Sequence, residues 1–247
     1  MKWTKAETKL VEKFFKNTTT VLTLFYQIHK INPARTFEAV ARTVRRWKSE
    51  GYIKQREEAQ HKLRIGYFDI ETTNLNANFG FMLSWYIKKA NKNEYDFAII
   101  TKKEIFDYQF DKRLMLELFD ALEHYDILYT HYGGLKRFDI PYIITRAYAH
   151  GLEKRLSMLK EKFIRDTWPI ARTRLRLHSN RLDSIAEAVR VKGVKKTPLK
   201  PEIWRLASVG HPESLKYIAI HNKHDVQILE KIAKKLEPVE RKQFITV

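Results

Sequence analysis

Residues 65–73 read IGYFDIETT, an apolar run that ends in Asp69 and Glu71. Side chains in a strand alternate between its two faces, so residues two positions apart point to the same side. We therefore expect Asp69 and Glu71 to lie together at the carboxyl end of a strand, where open α/β sheets keep their ligand crevices. An Asp-x-Glu pair is also typical of a solvated strand edge, so it does not define a site by itself.

The sequence around this stretch predicts an α/β layer structure with a mixed sheet. Apolar runs predict strands at residues 63–70, 81–87, 95–101, 126–130 and 163–167. Helical spacing of apolar residues predicts helices at residues 112–124, 138–149, 182–189 and 212–236. Three successive strands favour antiparallel hairpins, whereas the later alternation of strands and helices favours parallel pairing.

The sequence predicts two domains: a small all-α domain at residues 1–60 and the α/β domain at residues 61–247. The boundary is placed there because residues 52–63 are polar and charged, as is typical of a linker. Three helices are expected, at residues 5–15, 20–31 and 36–50. The third helix has a predicted buried apolar stripe of Phe37, Val40, Val44 and Trp47. Its basic residues lie largely off that stripe and include Arg42, Arg45 and Arg46.

This N-terminal segment resembles a helix-turn-helix module of the Myb/SANT type or a related type. The resemblance rests on Lys2-Trp3-Thr4 with Glu7 and on the sequence RTFEAV at residues 35–40. The last helix of such modules lies in the DNA major groove, so the resemblance implies that its arginines bind nucleic acid. The alternative is a basic helical bundle that docks on the second domain or on another protein.

The composition favours a polyanionic partner. The chain has 247 residues and a formal net charge of +18, which indicates nucleic acid rather than a membrane surface because no lipid-binding segment is evident. DNA is favoured over RNA, and protein partners are not specified. No apolar run approaches the ~20 residues that span a bilayer, so we expect an intracellular protein, cytoplasmic or nucleoid-associated. The absence of cysteine excludes thiolate metal sites and leaves oxygen and histidine ligands.

Two further segments supply acids that could join the first pair. Asp139 follows two glycines at a predicted helix start, although an Asp there, with Pro141 after it, is also typical of helix capping. His221 and Asp225 are four residues apart on the last predicted helix and therefore share a face. They could equally be a solvated surface pair.

Taken together, three motifs resemble those of the DnaQ-like (DEDD) 3′-to-5′ exonuclease superfamily, which has a ribonuclease H-like fold. The motifs are DIETTNL at residues 69–75, FDIPY at residues 138–142 and HNKHDV at residues 221–226. Residues 64–236 are similar to the YprB-like, polymerase-proofreading-like branch. The resemblance implies a nuclease with two Mg²⁺ or Mn²⁺ ions, held by Asp69, Glu71, Asp139 and Asp225. Crowded carboxylates need such cations, because two unit charges ~4 Å apart repel by about 4 kcal/mol near a protein surface.

One position departs from the superfamily pattern. The last motif there has a tyrosine four residues, or a histidine five residues, before its final aspartate, whereas this chain has His221 four residues before Asp225. We expect His221 to act as the base or to orient water, since its ordinary pKa of ~6.5 allows proton exchange near neutrality.

Other residues are assigned to substrate binding or to the core. The resemblance implies that Thr72 and Leu75 contact the terminal nucleotide. Lys195 and Lys196 lie in a basic stretch that could bind phosphates, or could simply be solvated. Trp204 is expected in the core. Two other functions stay open: a structure-specific endonuclease on the same fold, and a catalytically inactive DNA-binding or assembly protein.

Overall fold

We analysed the protein as a computed structural model, in which residues 3–15, 21–49, 63–193, 197–198 and 200–240 are described. The chain divides into two compact units, Met1–Lys62 and Leu63–Val247. The proposed linker at residues 52–63 falls almost wholly outside the described residues. The described part of the chain has no helix with the length and apolar character needed to span a membrane.

The described residues of the first unit form three helices, as the sequence predicts: α1 Lys5–Phe15, α2 Val21–Ile31 and α3 Phe37–Ser49. Their buried core comprises Val11, Leu24, Ile28, Val40 and Val44. Phe37 differs from the prediction of a buried stripe. Its ring is 42% exposed and packs edge-on against Phe25, with the ring centroids 5.7 Å apart.

A buried ion pair links the helices of this unit. Glu7 and Arg35 are 0% and 5% exposed, and Arg35 Nε donates to Glu7 Oε1 at 2.8 Å. Glu7 also closes a capping box at the start of α1. It accepts from the Thr4 backbone N–H at 2.7 Å, and its own N–H donates to Thr4 Oγ1 at 3.2 Å. The Arg35 guanidinium lies 4.5 Å from the centroid of the Trp3 ring. The ion pair and the capping box therefore fix α1 to the segment that precedes α3.

The second unit is built on a five-stranded mixed sheet with the strand order β3-β2-β1-β4-β5, which confirms the predicted fold class. The strands are β1 Ile65–Thr72, β2 Met82–Lys89, β3 Tyr95–Ile99, β4 Ile127–Thr130 and β5 Phe163–Asp166. The first three strands pair antiparallel, whereas β1 with β4 and β4 with β5 pair parallel. Strands β1, β4 and β5 therefore end at the same edge of the sheet.

Eight α-helices surround the sheet in the described part of this unit. They are α4 Lys102–Phe106, α5 Lys112–Leu122, α6 Asp139–Ala149, α7 Ser157–Lys160, α8 Thr167–Arg174, α9 Leu182–Ala188, α10 Pro201–Ala207 and α11 Pro212–Leu236. Of these, α4, α7, α8 and α10 are additional to the sequence prediction. Short 3₁₀ turns occur at Glu153–Leu156 and Glu237–Val239.

The two faces of the sheet are covered by different helices. Phe68 and Ile70 of β1 belong to the main core, together with residues of α5 and α6. Tyr67 points to the opposite face and packs with Val226 and Leu229 of α11. Because side chains alternate along a strand, Asp69 and Glu71 share the face of Tyr67 and are directed towards α11.

Candidate metal centre

The last helix brings a histidine and an aspartate to the end of β1. His221 Nε2 lies 3.6 Å from Glu71 Oε1 and 3.4 Å from Asp225 Oδ2. Among the described residues, these three side chains form a group whose ligand atoms all lie within 4.8 Å of one another. Asp69 and Asp139 are not members of that group. His221 is therefore placed to act either as a metal ligand or as a base, but not as both at once, because a neutral imidazole has one unprotonated nitrogen.

Two contacts fix the His221 ring. Its Nδ1 lies 3.0 Å from the backbone carbonyl oxygen of Thr197, which can only accept a hydrogen bond, so Nδ1 carries the proton. In the neutral ring, Nε2 is then the unprotonated nitrogen and faces the acids. The Trp204 ring packs edge-on against His221 with a centroid distance of 5.2 Å. Burial lowers the pKa of His221, which favours this neutral form.

Trp204 also contacts the acids directly. Its Nε1–H donates to Glu71 Oε2 at 3.2 Å. The expectation that Trp204 is a core residue is therefore incomplete, because the ring packs against the main core while its N–H orients a carboxylate of the site. No local sequence pattern indicates this contact, since the two residues are 133 positions apart.

Asp139 reaches the same region from the start of α6. The cap position of this helix is occupied by Phe138, without a side-chain cap hydrogen bond, so the capping alternative does not describe Asp139. Asp139 is 3% exposed, and its Oδ2 atom is buried without a hydrogen-bond partner among the described residues. A Cβ on Gly133 would collide with this carboxylate. Glycine thus allows the loop after β4 to pass against Asp139.

The carboxylates interact electrostatically. Burial raises the pKa of Asp69 well above its usual range, and the charges of Asp139, Glu71 and Asp225 raise it further. Burial and the Asp225 charge likewise raise the pKa of Glu71, against the hydrogen bond from Trp204. Within the described residues, no lysine or arginine forms an ion pair with Asp69, Glu71 or Asp139. Among the described residues, Asp69, Glu71 and Asp139 therefore repel one another with no lysine or arginine paired to them.

A further acid, Asp166, was not predicted. It ends β5, and burial together with the Asp166 charge raises the pKa of Asp139. Its two carboxylate oxygens accept hydrogen bonds from the backbone N–H groups of Tyr132, Gly134 and Trp168, at 2.9, 3.0 and 2.9 Å. A signal was available, because Asp166 lies near the carboxyl end of the strand predicted at residues 163–167, at the same edge of the sheet as the acids of β1.

The arrangement fits a divalent cation. It offers hard carboxylate oxygens and one imidazole nitrogen, which are ligand types suited to Mg²⁺ or Mn²⁺. Among the described residues, Asp139 Oδ2 has no hydrogen-bond partner, and burial and the neighbouring acids raise the pKa of Asp69. Both observations are those expected of a site whose negative charge is balanced by a bound cation. Glu71, His221 and Asp225 could hold one ion, and Asp69 and Asp139 lie within electrostatic reach of them.

A groove of about 460 Å³ opens beside these acids. We call it the Glu71 groove; its lining includes Glu71, Thr72, Leu75, Phe138, Trp204 and Arg205. Leu75 is 80% exposed, and Thr72 Oγ1 donates to the backbone oxygen of Asn74 at 3.0 Å. Thr72 and Leu75, the two residues assigned to the terminal nucleotide, thus line one groove with a candidate metal ligand.

The remaining assigned residues lie elsewhere. Arg42, Arg45 and Arg46 are exposed on α3 of the first unit. Lys195 and Lys196 fall outside the described residues.

Comparison with known proteins gives one family. A family model described as RNase_H superfamily matches residues 66–237, a segment that includes all five strands except the first residue of β1 and all of the acids named above. No curated protein matches this chain.

Proposed function

This chain belongs to the RNase_H superfamily, and from that premise we propose that it is a 3′-to-5′ exonuclease of the DnaQ-like (DEDD) type. Membership of the superfamily supports a metal-dependent nuclease that acts on nucleic acid. The direction of digestion and the exonuclease mode are our proposal. They rest on the resemblance of the three motifs and on the fact that Thr72 and Leu75 line the Glu71 groove.

The observation that carries this proposal is the convergence of Glu71, His221 and Asp225 within electrostatic reach of Asp139, whose buried Oδ2 has no hydrogen-bond partner among the described residues. A solvated edge or a surface pair would not bury such a carboxylate without a counter-charge, because desolvation of an unpaired charge costs several kcal/mol. A binding site for divalent cations explains both the burial of the Asp139 carboxylate and the repulsion among the neighbouring acids.

In the proposed mechanism, Asp69, Glu71, Asp139 and Asp225 hold two Mg²⁺ or Mn²⁺ ions. When bound, such a pair of ions lowers the pKa of a water molecule and stabilises the leaving oxygen of an in-line displacement. His221 Nε2, unprotonated and facing the acids, can accept a proton from the attacking water. Thr197 keeps the other ring nitrogen protonated, and Trp204 holds Glu71 and the imidazole ring in place.

We also propose that the first unit is a helix-turn-helix module that tethers the enzyme to nucleic acid, with DNA favoured over RNA. The support is its three-helix core and the exposed Arg42, Arg45 and Arg46 on the last helix. Replacement of these arginines by glutamine should weaken binding and reduce its salt dependence, because each phosphate contact contributes to the salt slope. An intracellular, cytoplasmic or nucleoid-associated location belongs to the same proposal.

Single-stranded and double-stranded DNA and RNA, each labelled at the 5′ or the 3′ end, test the assignment. Early release of the 3′ label, with successive shortening of 5′-labelled strands, is the expected result. A covalently closed circular substrate separates the two nuclease modes. An exonuclease leaves the circle intact, whereas cleavage of the circle would establish the endonuclease alternative.

A further inference from the structure

A cluster of aromatic rings and guanidinium groups lies at the carboxyl ends of β4 and β5. We call it the Trp168 cluster; its members are Tyr132, Arg137, Trp168 and Arg172. The guanidinium carbons of Arg137 and Arg172 lie 4.3 and 5.1 Å from the centroid of the Trp168 ring. Tyr132 meets the same ring edge-on at 5.2 Å. Nothing in the proposed chemistry of the acids uses these residues.

The cluster is cationic and accessible. Tyr132 is 46% exposed, and both arginines are exposed. Within the described parts of the chain, neither Arg137 nor Arg172 forms an ion pair with a carboxylate. Their positive charges are therefore available for an anion, whereas other arginines of this unit, such as Arg113 and Arg155, are paired with acids.

The backbone beneath the cluster is held in an unusual conformation. Tyr132 has φ +60°, in the left-handed region that a bulky residue rarely adopts. Its N–H donates to Asp166 at 2.9 Å, and its carbonyl accepts from the Phe138 N–H at 3.0 Å. Residues held in such conformations concentrate at ligand-binding positions. The contacts of Asp166 thus fix the tyrosine beside Trp168.

A groove of about 480 Å³ adjoins the cluster. We call it the Trp168 groove; its lining includes His131, Tyr132, Trp168, Arg172, Asn180 and Arg181. The groove therefore combines aromatic rings and positive charge.

The same loop connects this groove to the acids. Tyr132 lines the Trp168 groove, Gly133 packs against the Asp139 carboxylate, and Phe138 lines the Glu71 groove. The two grooves share no lining residue. The Trp168 groove and the Glu71 groove are therefore lined by different side chains, although one loop links both of them to the acids.

From these observations we propose that the Trp168 groove binds the substrate strand as single-stranded nucleic acid, at nucleotides away from the scissile bond. Unpaired bases stack on aromatic rings, and their phosphates pair with guanidinium groups, whereas a duplex keeps its base faces covered. The proposal rests on the proposed nuclease function and adds a second binding site to it.

Steady-state kinetics on two substrate lengths test this site in the full chain. Trp168→Ala should raise the KM for a single strand of about ten nucleotides by roughly five-fold or more relative to the KM for a dinucleotide, because stacking at single-strand sites contributes on that scale. Arg172→Gln, which keeps the ring, should raise the same ratio. The matched control is Phe106→Ala, since this exposed ring on α4 lies 5.4 Å from the Lys102 ammonium. An unchanged ratio in both cluster variants would overturn the proposal. Binding of an acidic protein segment in the Trp168 groove, instead of nucleic acid, would also overturn it.

Photocrosslinking gives an answer that does not depend on turnover. Full-length Asp69→Asn protein is irradiated with single-stranded DNA or RNA carrying 5-iodouracil, and crosslinked peptides are located by mass spectrometry. Crosslinks at Tyr132 or Trp168 support the site, whereas crosslinks confined to other peptides overturn it. Wild-type protein that degrades neither substrate would refute the proposed nuclease function, while a crosslink at Trp168 would still establish binding.

Discussion

His221 donates its Nδ1 proton to the carbonyl oxygen of Thr197 at 3.0 Å, and this bond determines which ring nitrogen faces the acids. The sequence pattern left the role of this histidine open, because it stands at the spacing where the superfamily has tyrosine. In the folded protein, the ring is buried, its tautomer is fixed, and Nε2 is directed at Glu71 and Asp225.

The first prediction concerns this nitrogen. His221→Gln removes the imidazole from the site and should lower kcat by about 10²- to 10⁴-fold, the range for loss of a general base. His124→Gln, at an exposed histidine that is not among the residues of the candidate site, is the control and should retain wild-type kcat. A His221→Gln enzyme with unchanged kcat would remove the histidine from the mechanism.

A second prediction separates the two roles of Trp204. Trp204→Phe keeps a ring beside His221 but removes the N–H that donates to Glu71, so kcat should fall by roughly ten-fold, as for loss of a hydrogen bond to a charged group. Trp85→Phe is the matched control, because Trp85 Nε1 donates to the backbone oxygen of Leu114 in the core at 2.9 Å. This control should lose thermal stability and keep kcat. Equal kcat values for the two variants would contradict the role of Trp204.

The third prediction is that Asp139 lowers the stability of the metal-free protein but is required for its activity. Burial and the Asp166 charge raise its pKa in the metal-free protein, so the carboxylate costs stability above its ordinary pKa of ~4 and the cost grows as pH rises. Asp139→Asn should therefore raise the Tm in chelator at pH 8, have little effect near pH 3.5, and abolish nuclease activity. Thermal unfolding at both pH values checks this, with the exposed Asp107→Asn as control. A lower Tm at pH 8 would contradict it.

The fourth prediction concerns the first unit. The Arg35 hydrogen bond lowers the pKa of Glu7 from 4.5 to about 2, so the pair stabilises the unit above pH 4.5 and this contribution is lost as pH falls towards 2. The difference in Tm between wild type and Glu7→Gln should accordingly shrink between pH 5 and pH 2.5. The control is Glu38→Gln at an exposed position. A difference that is constant over this range would rule out the ion pair as its cause.

The sequence was sufficient for the sheet and for the placement of Asp69 and Glu71 on one face of β1. Strands β1 and β4 are largely apolar runs, and period-two alternation directs Asp69 and Glu71 to one face, so local pattern alone predicts these features. The ends of the elements were less accurate. For example, β1 continues through the acids to Thr72, where the register with β2 shifts.

The rest of the site depends on long-range contacts that no local pattern encodes. Asp166 has the local appearance of a helix cap, and it does accept a hydrogen bond from the Trp168 N–H at 2.9 Å, yet its charge acts on Asp139. Trp204 lies on α10, a seven-residue helix that the sequence pattern did not predict. The hydrogen bond from His221 is accepted by the backbone carbonyl of Thr197, so the type of side chain at this position does not predict it.

Metal dependence of end-labelled strand degradation tests the central claim most directly. Wild type and Asp69→Asn are freed of metal with chelator, and release of label from a single strand is then followed with and without added Mg²⁺ or Mn²⁺. We predict that wild type is inactive in chelator and regains activity with either ion, while Asp69→Asn stays inactive under all conditions. Degradation that persists in chelator, or at the same rate in Asp69→Asn, would contradict the metal-dependent nuclease.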